Sequence, residues 1–232
     1  MKPQIALLDA SHGNPDARRN FRRELDADLT EFPVTEGRLP PTFDFDAVVI
    51  TGSRSSVYAE ESWIDETRAW VASALERDLP ALGICWGHQL LADIVGGRVE
   101  PMGEYELGYR TVTHDGDDIF EGIPTEFTVF TTHSDVVVEL PEAADVIATN
   151  DYGIHGFRAG DVVGIQSHPE YDAATAERVV RRKDLPDDRI ESVCTEITAA
   201  AAAEAAAAKQ LFENFERLVR SRRPDAPEAP SS

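Results

Sequence analysis

Cys85 stands in Leu82-Gly83-Ile84-Cys85-Trp86-Gly87-His88-Gln89, between an apolar run and a helical pattern, with one glycine two positions before it and another two after. A nucleophile at a sharp strand-to-helix turn has the form of a nucleophile elbow. At the first turn of a helix a thiol also meets the positive end of the dipole, which favours the thiolate. A cysteine nucleophile needs a base, and the base needs an acceptor that orients it. Val162-Val163-Gly164-Ile165-Gln166 reads as a strand running into Ser167-His168-Pro169-Glu170. Residues two apart in extended chain share a side, so Glu170 can hold one ring nitrogen of His168 while the other faces the thiol. Taken singly, a core cysteine, a packed histidine and a surface glutamate are the simpler readings. Together they suggest a triad.

The elements that must hold these residues follow from periodicity. Ile5 to Leu8, Ala47 to Ile50 and Ala81 to Ile84 read as buried strands, the second closed by Thr51-Gly52-Ser53. Asp16 to Leu25 reads as a helix, and Ile64, Thr67, Val71 and Leu75 fall at helical spacing. After Cys85, Leu90, Leu91, Ile94 and Val95 share a helical face that Gly96-Gly97 stops. This βαβ alternation predicts a mostly parallel sheet with helices on both faces. From Arg98 to Gln166 the chain reads as antiparallel β, with turns at Asp115-Gly116 and Ala159-Gly160-Asp161. Beyond Glu170 it is helical, and the alanine-rich run from Ala199 leads to Leu211, Phe215 and Leu218 as one long helix. Residues 1–222 are expected to form one domain, and 223–232, rich in proline and serine, a disordered tail.

Forty-three acidic against 22 basic residues give a formal charge of −21. Nucleic acid and anionic membranes are excluded as main partners. Lysine occurs only as Lys2, Lys183 and Lys209, and the acids are spread along the chain. That pattern points to a halophile, whose salt-filled cytoplasm screens self-repulsion. Cys85 and Cys194 have no ligand spacing, so neither a disulfide framework nor a zinc site is indicated. His12, His114 and His155 read as polar or surface histidines, and no metal is expected. No leader or membrane-spanning stretch is read, which makes the expected location cytoplasmic. Arg18, Arg19, Arg22 and Arg23 form a basic cluster, read as a helix face paired with nearby acids such as Asp16 and Glu24 or as a docking face.

Residues 83–89 and 164–170 resemble the two signature motifs of the class I, triad-type glutamine amidotransferases, nearest the glutaminase domain of GMP synthetase and its stand-alone relatives. The resemblance implies a flavodoxin-like three-layer α/β sandwich and hydrolysis of L-glutamine to glutamate and ammonia through a γ-glutamyl thioester, without a cofactor. It makes Cys85 the nucleophile, His168 the general base and acid, and Glu170 its orienter. It places the oxyanion hole at the backbone of Gly52, Ser53 and Trp86, with Gln89 and His133 near the substrate and Tyr105 to Tyr109 along the glutamine pocket. Thr51-Gly52-Ser53 departs from the Gly-Gly-Pro common in GMP synthetases. No nucleotide-binding loop is present, so the ammonia would pass to a separate ATP-using synthetase subunit. The rival expectations are a stand-alone γ-glutamyl amide or peptide hydrolase and a non-catalytic regulatory binding protein with a vestigial triad.

Overall fold

The short apolar runs of the first hundred residues become parallel strands, and the segments between them cross over as helices. The structure is a computed structural model that describes residues 2–222. The expected tail at 223–232 lies outside the described residues. In chain order the first half runs β1 (Gln4–Asp9), α1 (Pro15–Glu24), β2 (Asp28–Pro33), β3 (Ala47–Ile50), α2 (Ser62–Leu75), β4 (Ala81–Ile84) and α3 (Trp86–Ile94). The second half adds β5 (Arg98–His114), β6 (Glu126–Glu139), β7 (Asp145–Asn150), β8 (Gly153–Ala159), β9 (Val162–Ile165), α4 (Ala173–Arg181), α5 (Asp187–Glu196), α6 (Ala199–Glu204) and α7 (Gln210–Arg222).

All nine strands join one sheet in the order β2-β1-β3-β4-β9-β8-β7-β5-β6. The pairs from β2 to β9 are parallel and those from β9 to β6 antiparallel, so the β-rich half extends the same sheet. Strand alternation divides the core. Ile5, Leu7 and Val49 pack with Phe21 of α1 and with Leu211, Phe212 and Phe215 of α7. Leu8, Val48 and Ile50 pack with Trp63 and Ile64 of α2 and Leu90 and Leu91 of α3. Fully burying each such side chain contributes about 1.5–3 kcal/mol. The helices α4 and α5 cover Leu107 and Phe130 further along the sheet.

Two elements differ from the sequence reading. β2 has no buried residue and pairs only with β1 at the sheet edge. Such a strand lacks the apolar run that marks its buried neighbours. The expected long C-terminal helix is broken: a 3-10 turn over Ala205–Lys209 separates α6 from α7. Alanine continues a helix without fixing which face is buried. The buried face begins only at Ala208 and runs through Leu211, Phe212, Phe215 and Val219, leaving Leu218 half-buried.

Candidate active site

The turn from β4 into α3 requires both glycines of the motif. A Cβ on Gly83 would meet the Gly87 carbonyl at 2.3 Å, and one on Gly87 would meet the Ile50 carbonyl oxygen at 2.5 Å. Strand and helix therefore come together at backbone distance. Between them Cys85 takes φ 54° and ψ −101°, a conformation few non-glycine residues adopt. Its amide donates to the Ile165 carbonyl at 2.8 Å, which ties the elbow to the end of β9. Cys85 Sγ lies 4.0 Å from the Thr132 carbonyl oxygen of β6.

β9 delivers the second motif to the same place. His168 Nδ1 is 2.8 Å from Glu170 Oε1, and both side chains are buried. Burial alone lowers the His168 imidazole, but the charges of Glu170 and Cys85, with hydrogen bonding to both, outweigh it and raise it to about 10. The ring is thus imidazolium near neutrality. Tyr171 stacks on it with centroids 4.2 Å apart and also packs near Phe130.

The arginine cluster of α1 proves to be part of this support. Asn14 caps α1, Pro15 starts it, and Arg22 and Arg23 fall in its last turn. Arg19 and Arg23 both donate to Asp172 Oδ2 at 2.9 Å, and Arg23 donates to the Glu170 carbonyl oxygen at 2.5 Å. Arg178 of α4 pairs bidentately with Asp16 of α1 at 2.7 and 2.8 Å. Part of the helix face is therefore committed to the segment that carries Glu170. Arg18 and Arg22 pair instead with Asp9 and Glu31.

Gly52 closes the site from the β3 side. A Cβ there would lie 2.9 Å from His168 Cε1 and 3.5 Å from Cys85 Cβ, so only a bare backbone fits. Trp86 is the first residue of α3, and its N–H belongs to the helix end that has no intrahelical acceptor. The loop after Gly52 is pinned to β6, because Ser56 Oγ and Tyr58 Oη donate to Asp135 at 2.5 and 2.8 Å. A cavity of about 590 Å³ opens here, lined by Gly52, Ser53, Tyr105, Thr132, His168 and Glu170 among others.

Cys85, His168, Glu170, Gly52, Ser53 and Trp86 are thus brought together. Gln89 and His133 are not turned to the cavity. Gln89 Nε2 donates to the Asp135 carbonyl oxygen at 2.9 Å and to Gln166 Oε1 at 3.1 Å, bracing α3 against β6 and β9. The His133 ring is directed at Glu106, 2.6 Å away, and both are buried. Sequence reasoning did not single out Tyr171 or Asp172, and the role of Asp172 rests on contacts with α1 far away in the chain. Tyr171 alone offered a signal, as an aromatic directly after Glu170.

Among the described residues no helix is long and apolar enough to cross a membrane. The chain is 36% identical over 126 residues to GMP synthase [glutamine-hydrolyzing] of Staphylococcus aureus, a match covering 53% of this chain and 24% of that protein. It therefore spans about a quarter of that relative's length. In fold it is similar to a glutamine amidotransferase from Thermotoga maritima, with a TM-score of 0.79 at 22% identity over 93% of this chain and 99% of that one. A glutamine amido transferase from Methylobacillus flagellatus gives 0.76 at 16% identity, with both chains covered in full. The family model described as "Glutamine amidotransferase class-I" matches residues 7–185, a span that includes both motifs and the loop after β3, and the chain belongs to that family.

Proposed function

We propose that residues 1–222 form a glutaminase domain that hydrolyses L-glutamine and passes the ammonia to a separate ATP-using synthetase. The observation that carries the reading is the 2.8 Å contact between His168 and Glu170 beside a cysteine in strained backbone, under the bare backbone of Gly52. In this reading the Cys85 thiolate attacks the side-chain carbonyl carbon of glutamine. The oxyanion is met by the N–H groups of Trp86 and of the Gly52-Ser53 turn. His168 gives its proton to the leaving nitrogen as the C–N bond breaks, and ammonia departs. The now neutral imidazole takes a proton from water, hydroxide attacks the thioester, and the C–S bond breaks to return the thiolate and release glutamate. Glu170 holds the ring and stabilises its charge throughout.

The likeness to a glutamine-hydrolysing GMP synthase supports glutamine as the substrate. Which acceptor is aminated is left to the synthetase. A salt-rich cytoplasm is proposed as the setting, from the charge of −21.

Cys85→Ala tests the reading. It is expected to abolish ammonia release and trapping by glutamine-mimicking alkylators while leaving the circular dichroism unchanged. Label on Cys194 with none on Cys85 would overturn the mechanism. Weak release by the purified chain, raised by an ATP-using protein retained from extract, is the outcome expected for a subunit. Full-speed release with no protein retained would instead identify a free γ-glutamyl hydrolase.

A further inference from the structure

Behind the thiol, β5, β6 and β8 bring Glu106, His133 and His155 together, all buried. One possible donor atom from each lies within 4.8 Å of the others. The Nε2 atoms of His133 and His155 stand 2.6 and 3.0 Å from Glu106 Oε2. His133 Nδ1 is 3.0 Å from the Asp135 carbonyl oxygen, which can only accept, so in the neutral ring the proton sits on Nδ1. His133 Nε2 then keeps a lone pair close to a carboxylate oxygen, and in spite of that closeness it has no hydrogen-bond partner. Two such groups repel unless a proton or a metal ion lies between them. His155 Nε2 is hydrogen-bonded to Glu106 Oε2 while its Nδ1 has no partner, so a shift of the ring proton to Nδ1 would turn Nε2 into a second donor. Glu106 Oε1 accepts from Asn150 Nδ2 at 2.6 Å, which fixes the carboxylate plane.

We propose that Glu106, His133 and His155 bind one divalent transition-metal ion of the zinc class. Two imidazoles with one carboxylate suit zinc and its neighbours, whereas magnesium and calcium take oxygen donors. The Asp135 carbonyl and Asn150 are the outer partners such ligands use to set tautomer and orientation. Tetrahedral donors with bonds of about 2.0–2.2 Å stand roughly 3.4 Å apart, so both imidazoles, at 2.6 and 3.0 Å from Glu106 Oε2, would draw back to admit the ion. No spacing in the chain signals this cluster, because its three residues come from three strands. His133 also neighbours Thr132, whose carbonyl oxygen lies 4.0 Å from Cys85 Sγ, so the ion would brace the wall of the thiol site.

The test uses untagged Cys85→Ala protein, which removes the thiol beside His168 as a rival metal ligand. After equilibration with zinc sulfate and desalting, about one zinc per chain is expected by elemental analysis. Cobalt(II) in its place should give visible d–d bands without a thiolate charge-transfer band. Asn150→Ala should bind roughly 10–100-fold more weakly, and His155→Gln should lose the bound zinc. Retention by a folded His155→Gln variant would put the metal elsewhere and overturn the proposal. If that variant does not fold, the cobalt spectrum of the Cys85→Ala protein decides. No zinc and no cobalt bands would mean that Glu106 and the two histidines share protons alone, and would also overturn it.

Discussion

His168 is raised because Glu170 and Cys85 both favour its charged form, and two predictions follow from separating those partners. His168→Ala removes the proposed proton carrier and is expected to lower kcat by about 10²–10⁴-fold. Glu170→Gln keeps an oxygen that can accept from Nδ1, so its loss should be smaller, with KM little changed in either variant. Equal loss in the two would mean that Glu170 does more than hold the ring. The raised imidazole also sets a direction for stability. A histidine that gains protons on folding stabilises most below its unfolded value of about 6.5. Its contribution should decline as pH rises from there and vanish above about 10. Denaturant midpoints of the native chain should therefore fall across that window more steeply than those of Glu170→Gln. Parallel curves would contradict the assignment. The positions of Cys85, His168 and Glu170 were legible because each depends on local chain: a turn between glycines, and a two-residue offset in extended backbone. Gln89 and His133 were not, since the direction of a side chain on α3 or β6 is decided by what packs against it. Asp135 accepts from Gln89, and Glu106 faces His133.

α1 shows how an element with no residue in the proposed triad still shapes it. Arg23 reaches the Glu170 carbonyl oxygen, and Asp172 is held by Arg19 and Arg23 together while capping α4 through Thr175. Exposed ion pairs taken singly contribute about 0–1 kcal/mol, so this clamp should matter more for geometry than for stability. Arg23→Ala is expected to lower kcat several-fold with only a small shift in melting temperature. Arg22→Ala, on the same helix but paired with Glu31, should leave kcat unchanged. Equal effects of the two would reduce the clamp to surface charge. The buried strands were readable as continuous apolar runs, and the ends of β3 and β4 fell where Thr51 and Cys85 interrupt them. β2 escaped because an edge strand is half-exposed and carries no such run. The break between α6 and α7 escaped because an alanine run has no face for periodicity to reveal.

At the scale of the whole molecule, the charge of −21 opposes compaction, while arginine pairs spread over the surface offset part of it. Salt weakens both effects, but single exposed pairs are worth little. Screening of the net repulsion should win. The melting temperature is expected to rise between about 0.1 and 2 M potassium chloride, as the Debye length falls from ~10 Å to below ~3 Å. A flat or falling curve would remove the halophile reading. The same sheet carries a consequence for how the protein is made. Cys85 is held by an amide bond to Ile165, and its proposed base sits on the segment just beyond β9. Ribosomes add about 5–20 residues per second, so for several seconds the nascent chain displays Cys85 without its proposed base. Under the proposed mechanism, reactivity arrives only with the last strand of the sheet, and a truncated or stalled product would carry a cysteine that is inert toward glutamine.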